Sequence, residues 1–131
     1  MITVKEMQMI TVKEIEELPE YLTEENRVMY KTTYFDQLIN KLGICGCMNE
    51  DAIQLLVDIL VALSERSEDK NVYPMDKVRK LLNNDEVLRY MALQLLENQG
   101  LVEHGSSLNS AWIDDAGLEL VEWLKGIPRA N

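Results

Sequence analysis

One histidine and two cysteines are all this chain offers of the side chains that most often bind transition metals or serve as nucleophile and base near neutral pH. The cysteines stand as Cys45-Gly46-Cys47, and His104 lies far off in sequence. A closed zinc site needs about four ligands, so this pair reads as a reduced turn rather than a metal centre. A disulfide across one residue would be strained and out of place in a reducing compartment. There is no glycine-rich phosphate loop, no nucleophile elbow and no paired-histidine motif. Glu16-Glu17 and Asp114-Asp115 are adequately explained as a solvated face and a helix cap. No catalytic residue, metal or cofactor is expected, and the chain does not read as an enzyme, although sequence leaves open an acid/base pair assembled from distant segments.

Positive charge is also scarce. Thirteen Lys plus Arg face 23 Asp plus Glu, for a net charge of −10. Residues 1–48 carry 5 basic and 8 acidic side chains, and residues 49–131 carry 8 and 15. Such a field repels a polyanion unless a local basic patch overrides it. Long hydrophobic runs are missing too. The longest, Ala52 to Leu63, is interrupted by Gln54 and Asp58 and is too short to span a bilayer. Lys5, Glu6, Lys13 and Glu14 occupy the place where a signal peptide would need an apolar core, so a cytoplasmic, non-membrane protein is expected.

What is present is helical periodicity. Met1-Ile-Thr-Val-Lys-Glu6 recurs as Met9 to Glu14, a pair too short for a structural repeat, and residues 1–10 read as disordered or non-native. Thr11 and Glu14 form a capping box for a short helix ended by Pro19. A longer helix is expected from Thr23 to Leu42, burying Val28, Thr32, Phe35, Leu38, Ile39 and Leu42 and stopped by Gly43. Residues 1–48 thus form an N-terminal helical extension, and residues 49–131 a second unit. That unit opens with a helix from Glu50 to about Glu65, capped by Asn49 and apolar nearly all round, which marks it as central. Val72-Tyr73 reads as a short strand, and Pro74 opens a helix carrying Lys77, Arg79 and Lys80, the densest cationic cluster.

The rest is organised around Asn83 to Lys125. A helix is expected from Asn83 to Gln99, with Val87, Leu88, Met91, Ala92, Leu95 and Leu96 toward the core. Its outer face then holds Glu86, Tyr90, Leu93 and Glu97, with Arg89 on the flank. Leu101 to His104 and Ser110 to Ile113 alternate as strands around the turn residues 105–109, and Trp112 is expected in the core. A closing helix, capped by Asp114 or Asp115, would bury Leu118, Val121 and Leu124, with Trp123 in the core or at a dimer contact.

Residues 95–124, LLENQGLVEHGSSLNSAWIDDAGLELVEWL, resemble the end of bacterial and phage winged helix-turn-helix proteins. There a helix ends in a Leu-Leu-x-x-x-Gly-Leu-Val phrase, followed by a wing and a strand running into x-Asp-x-Gly-x-x-x-Leu. The resemblance implies a mainly α winged-helix fold and makes Asn83 to Gln99 the recognition helix. It does not fix a function, because the fold serves as DNA reader, dimerisation module and protein docking surface alike.

Two functions follow. In the first, an acidic winged-helix adaptor or inhibitor, of phage or bacterial kind, docks on a protein through Glu86, Tyr90, Leu93 and Glu97. Packing of Tyr90 and Leu93 within the chain is the equally open alternative. In the second, a DNA-binding transcriptional regulator, acting as a homodimer, uses Lys77, Arg79, Lys80, Arg89 and Gln94 with Ser106 and Ser107 of the wing. The fold favours the regulator. Charge favours a protein partner over DNA, because base reading calls for Arg, Lys, Asn or Gln where this outer face centres on acids, Tyr and Leu.

Overall fold

The computed structural model describes residues 11–18, 21–25, 28–44, 49–65, 74–104 and 111–127. In chain order these form α1 (Val12–Glu17), β1 (Tyr21–Glu25), β2 (Val28–Thr32), α2 (Tyr34–Leu42), α3 (Glu50–Ser64), α4 (Pro74–Leu81), α5 (Glu86–Asn98), β3 (Val102–His104), β4 (Ala111–Ile113) and α6 (Asp115–Gly126). The chain is mainly α, with a small hairpin between α5 and α6 in a winged-helix arrangement.

The N-terminal half differs from the sequence expectation. The single helix from Thr23 is replaced by an antiparallel hairpin, β1 against β2, with Tyr21 opposite Thr32 and Glu25 opposite Val28. The helix begins only at Tyr34, where the Thr33 side chain accepts a hydrogen bond from the Asp36 N–H at 3.0 Å. Val28, Tyr30, Thr32 and Thr33 are β-branched or aromatic, and their preference for a pleated backbone outweighs the helical spacing that Val28 and Thr32 share with Phe35 and Ile39. The predicted stop at Gly43 is present. Gly43 lies at φ 67°, its N–H bonds to Asn40 O and the Ile44 N–H bonds to Ile39 O, the paired closure of a Schellman cap. Cys45, Cys47, Val72 and Tyr73 lie outside the described residues.

The helix α3 is central, as its nearly unbroken apolar surface requires. It buries Ile53, Leu56, Val57, Ile59, Leu60, Ala62 and Leu63 and packs against α1, α4, α6 and β4. Val12 and Ile15 of α1 and Leu38, Ile39 and Leu42 of α2 belong to the same apolar cluster, so the N-terminal helices complete this core. A polar link fixes α1 on α3. The Gln54 side chain accepts from the Val12 N–H at 2.6 Å, satisfying a donor that the helix start leaves without a partner, and donates to Asp58 Oδ1 at 2.8 Å.

Burial raises the pKa of Asp58 above its ordinary 3.8, with the Gln54 hydrogen bond acting in the opposite direction. A folded-state pKa above the unfolded value means that the folded chain binds more protons between the two. Stability from this group is therefore present below 3.8 and is lost as pH rises through the folded value. Asp58→Asn keeps an acceptor for Gln54 and removes the charge. It should raise the melting temperature at pH 7, and the gain should shrink toward zero near pH 3 in a pH series of thermal melts.

The helix-turn-helix is formed by α4, the turn 82–85 and α5. Asn83 and Asn84 do not cap α5 but sit in the turn itself at φ 52° and 60°. Asparagine is one of the few residues that tolerate that left-handed region. The cap is Asp85, whose carboxylate accepts from the Leu88 N–H at 3.0 Å. In α6 the buried line runs through Gly117, Leu120, Val121 and Leu124, while Leu118 is exposed, so the expected line holds for Val121 and Leu124 only. Gly117 sets this register by lying directly against the Leu101 carbonyl.

Candidate functional site

Among the described residues, large exposed apolar side chains concentrate on the outer side of α5. The helix carries apolar side chains nearly all round, so two overlapping stripes compete for the core. The one that wins contains Arg89, Ala92, Leu93 and Leu96. It lies about 100°, one residue's rotation, from the stripe that the spacing predicts. Leu93 is fully buried at 0% exposure, so it takes the alternative of packing within the chain and does not stand on the outer face.

The rotation turns the remaining apolar residues outward. Val87 is 70% exposed, Met91 58% and Leu95 44%, and Leu88 is exposed beside them. These positions recur every four residues along about 12 Å of helix and point away from the core. Tyr90 is half exposed at one margin, with exposed Glu86 and half-buried Glu97 beyond it on the same side. Val87, Leu88, Met91 and Leu95 thus leave an apolar face exposed on this one helix.

Among the described residues proposed for DNA contact, Arg89 is turned inward and Lys77 and Arg79 lie on different faces of α4. Arg89 is only 7% exposed and its Nε has no hydrogen-bond partner, so it faces the protein interior. Lys77 is paired with Glu65, and Arg79 with Asp76 at 3.0 Å. On the helix, Lys77 and Arg79 lie about 200° apart and cannot share one phosphate-facing stripe. Lys80 is exposed. Gln94 is half-buried and donates to Asn98 Oδ1 at 3.0 Å. Ser106 and Ser107 fall outside the described residues.

The root of the wing is acidic. Glu103 stands opposite Trp112 in the β3–β4 register, and the indole N–H donates to Glu103 Oε2 at 3.2 Å. Trp112 is thus not a core residue: it is 46% exposed, on the outward side of a two-stranded ribbon, while Val102 faces in. The carboxyl of Asp114 is held above its ordinary 3.8 by desolvation and by the neighbouring carboxylates of Glu103 and Asp115. A phosphate brought here would meet the same repulsion. Trp123 is half-buried, its ring 6.4 Å from that of Tyr34 with Lys41 Nζ 5.0 Å above it, so it joins α6 to α2 within the chain.

A buried arginine with an unpaired Nε is a liability rather than an asset. Arg89→Met, which keeps the stem and removes the charge, should raise stability by about 1 kcal/mol in a chemical denaturation series. If Arg89 anchored the helix through its charge, the same change would lower stability.

Among the described residues no cluster of three or more His, Cys, Asp or Glu is placed to hold a metal ion, and no helix is long and apolar enough to cross a membrane. Comparison of the chain with family models, with characterised proteins and with solved structures gave no match, so the site has to be read from its own residues.

Proposed function

We propose that this protein is a non-enzymatic interaction domain, an adaptor or inhibitor of the winged-helix type that works by docking on another protein through the outer face of α5. The observation that carries this reading is the pairing of an exposed Val87–Met91–Leu95 stripe with the burial of Arg89, the only cation in that helix. A recognition helix for DNA inverts that arrangement, showing Arg, Lys, Asn or Gln to the groove and burying its aliphatic side chains. Burying one such side chain contributes about 1.5–3 kcal/mol, so the stripe with Tyr90 can supply the centre of a protein interface. Glu86 and Glu97 border it, and Leu93 supports it from beneath.

A DNA-binding regulator is the competing function, and a titration separates the two. Against labelled random duplex DNA in low salt, the full chain should show no saturable, salt-sensitive binding. Binding that weakens steeply as salt is raised would overturn the docking reading, because that slope counts phosphates neutralised by Lys and Arg.

A further inference from the structure

We infer that the occupant of the α5 face is a cationic amphipathic helix of a partner protein, an assignment that rests on the docking reading above and adds the partner's chemistry to it. Three observations lead there. The first concerns the backbone. The exposed stripe lies in the middle of a regular helix, whose N–H and C=O groups are satisfied internally. An extended peptide laid on it would gain no main-chain hydrogen bonds, and strand addition is excluded at this face. Recognition has to run through side chains, and a ridge repeating every four residues is matched by the groove between the ridges of another helix.

The second observation is charge. From Leu81 to Ile127 the chain has eight acidic residues and two basic ones. Of those two, Arg89 is buried, and Lys125 lies 3.9 Å from Glu122. Asp85 and Glu86 are exposed at the start of the helix, and Asp114 and Asp115 stand with Glu103 at the wing root. A partner that fits an apolar ridge bordered along its own helix by Asp85, Glu86 and Glu97 carries Lys or Arg beside its own apolar stripe. A second copy of this chain fits badly, since each protomer brings a net charge of −10 and an isologous contact would set acidic borders against their own equivalents.

The third is the residue at the centre. Met91 is flexible and polarisable, suited to a helix whose side chains vary in shape while its apolar stripe and flanking charge stay constant.

The test uses the full chain and three fluorescent 18-residue peptides, read by anisotropy. One has a leucine face with lysine elsewhere, the second keeps the leucines with glutamate elsewhere, and the third keeps the lysines with serine on the leucine face. The leucine/lysine peptide should bind at least about tenfold more tightly than either other peptide. The double variant Val87→Ser, Met91→Ser, checked for an unchanged melting curve, should weaken that binding about tenfold or more. Equal binding of the serine/lysine peptide, with no effect of the double variant, would mean charge attraction alone and overturn the proposal. No binding by a monomeric chain would overturn it as well. A light-scattering mass of two chains, reduced to one by the double variant, would assign the face to a second copy. That result removes the cationic helix but leaves the docking reading intact, whereas salt-sensitive binding to duplex DNA removes the docking reading itself.

Discussion

Leu93→Ala should destabilise the fold by about 3 kcal/mol, while Met91→Ala, two residues away on the same helix, should change stability by less than about 0.5 kcal/mol. Leu93 is sealed in the core with Leu96 and Ala92, and truncating it leaves a cavity that neighbouring helices close only in part. Met91 faces solvent and loses little. For a domain of this size the first change corresponds to a fall in melting temperature on the order of 10 °C. Thermal melts of the two variants decide the register of α5. Equal losses, or the larger loss at Met91, would put Met91 in the core and dissolve the exposed stripe on which the functional reading stands.

Gly117→Ala should be strongly destabilising although it adds only a single methyl. A Cβ at this position would lie 2.3 Å from the Leu101 carbonyl oxygen and 2.6 Å from Ile113 Cγ1. The carbonyl cannot swing aside freely, because it accepts the Asp114 N–H at 2.9 Å and so ties the start of β3 to the cap of α6. Alanine gains up to about 1 kcal/mol of helix propensity over glycine, but forced overpacking costs about 1–3 kcal/mol and loss of the Leu101 bond adds to it. A net destabilisation of about 2–3 kcal/mol is expected in urea unfolding. Gly100→Ala provides the comparison. Gly100 has φ 73° with nothing within 4 Å of a Cβ, so it carries only the left-handed backbone penalty of about 1 kcal/mol. Losses that are equal at the two sites would mean that the approach of α6 to Leu101 is looser than described.

The fold is legible from sequence where one local rule dominates. Asn49 and Thr11 cap their helices, Gly43 stops α2, and the spacing of Ile53, Leu56, Val57, Leu60 and Leu63 identifies α3 as central. Three features were not legible, each for a physical reason. Between Thr23 and Thr32, helical spacing and β preference point in opposite directions, and the stronger sign was the Thr33–Asp36 cap, which starts the helix ten residues later than expected. In α5, periodicity alone cannot choose between two apolar stripes, and an arginine inside the buried one counts against it in any reading of sequence. Trp112 was placed by its bulk and its apolar neighbours, whereas its orientation follows from a pairing with Glu103 across the hairpin. The candidate site suffered most from these errors. The spacing puts Glu86, Tyr90 and Glu97 on the outer face and assigns Val87, Met91 and Leu95 to the core, whereas the structure leaves all three of these apolar residues exposed.

The most direct test of the central claim, that α5 turns its aliphatic stripe to solvent and its arginine inward, is a methyl NMR titration with a soluble, uncharged paramagnetic agent. The methyls of Val87, Met91 and Leu95 should broaden early and strongly, while those of Leu93 and Leu96 stay sharp. Early broadening at Leu93 with protection at Met91 in a monomeric chain would reverse the register, return Leu93 to the surface and contradict the account.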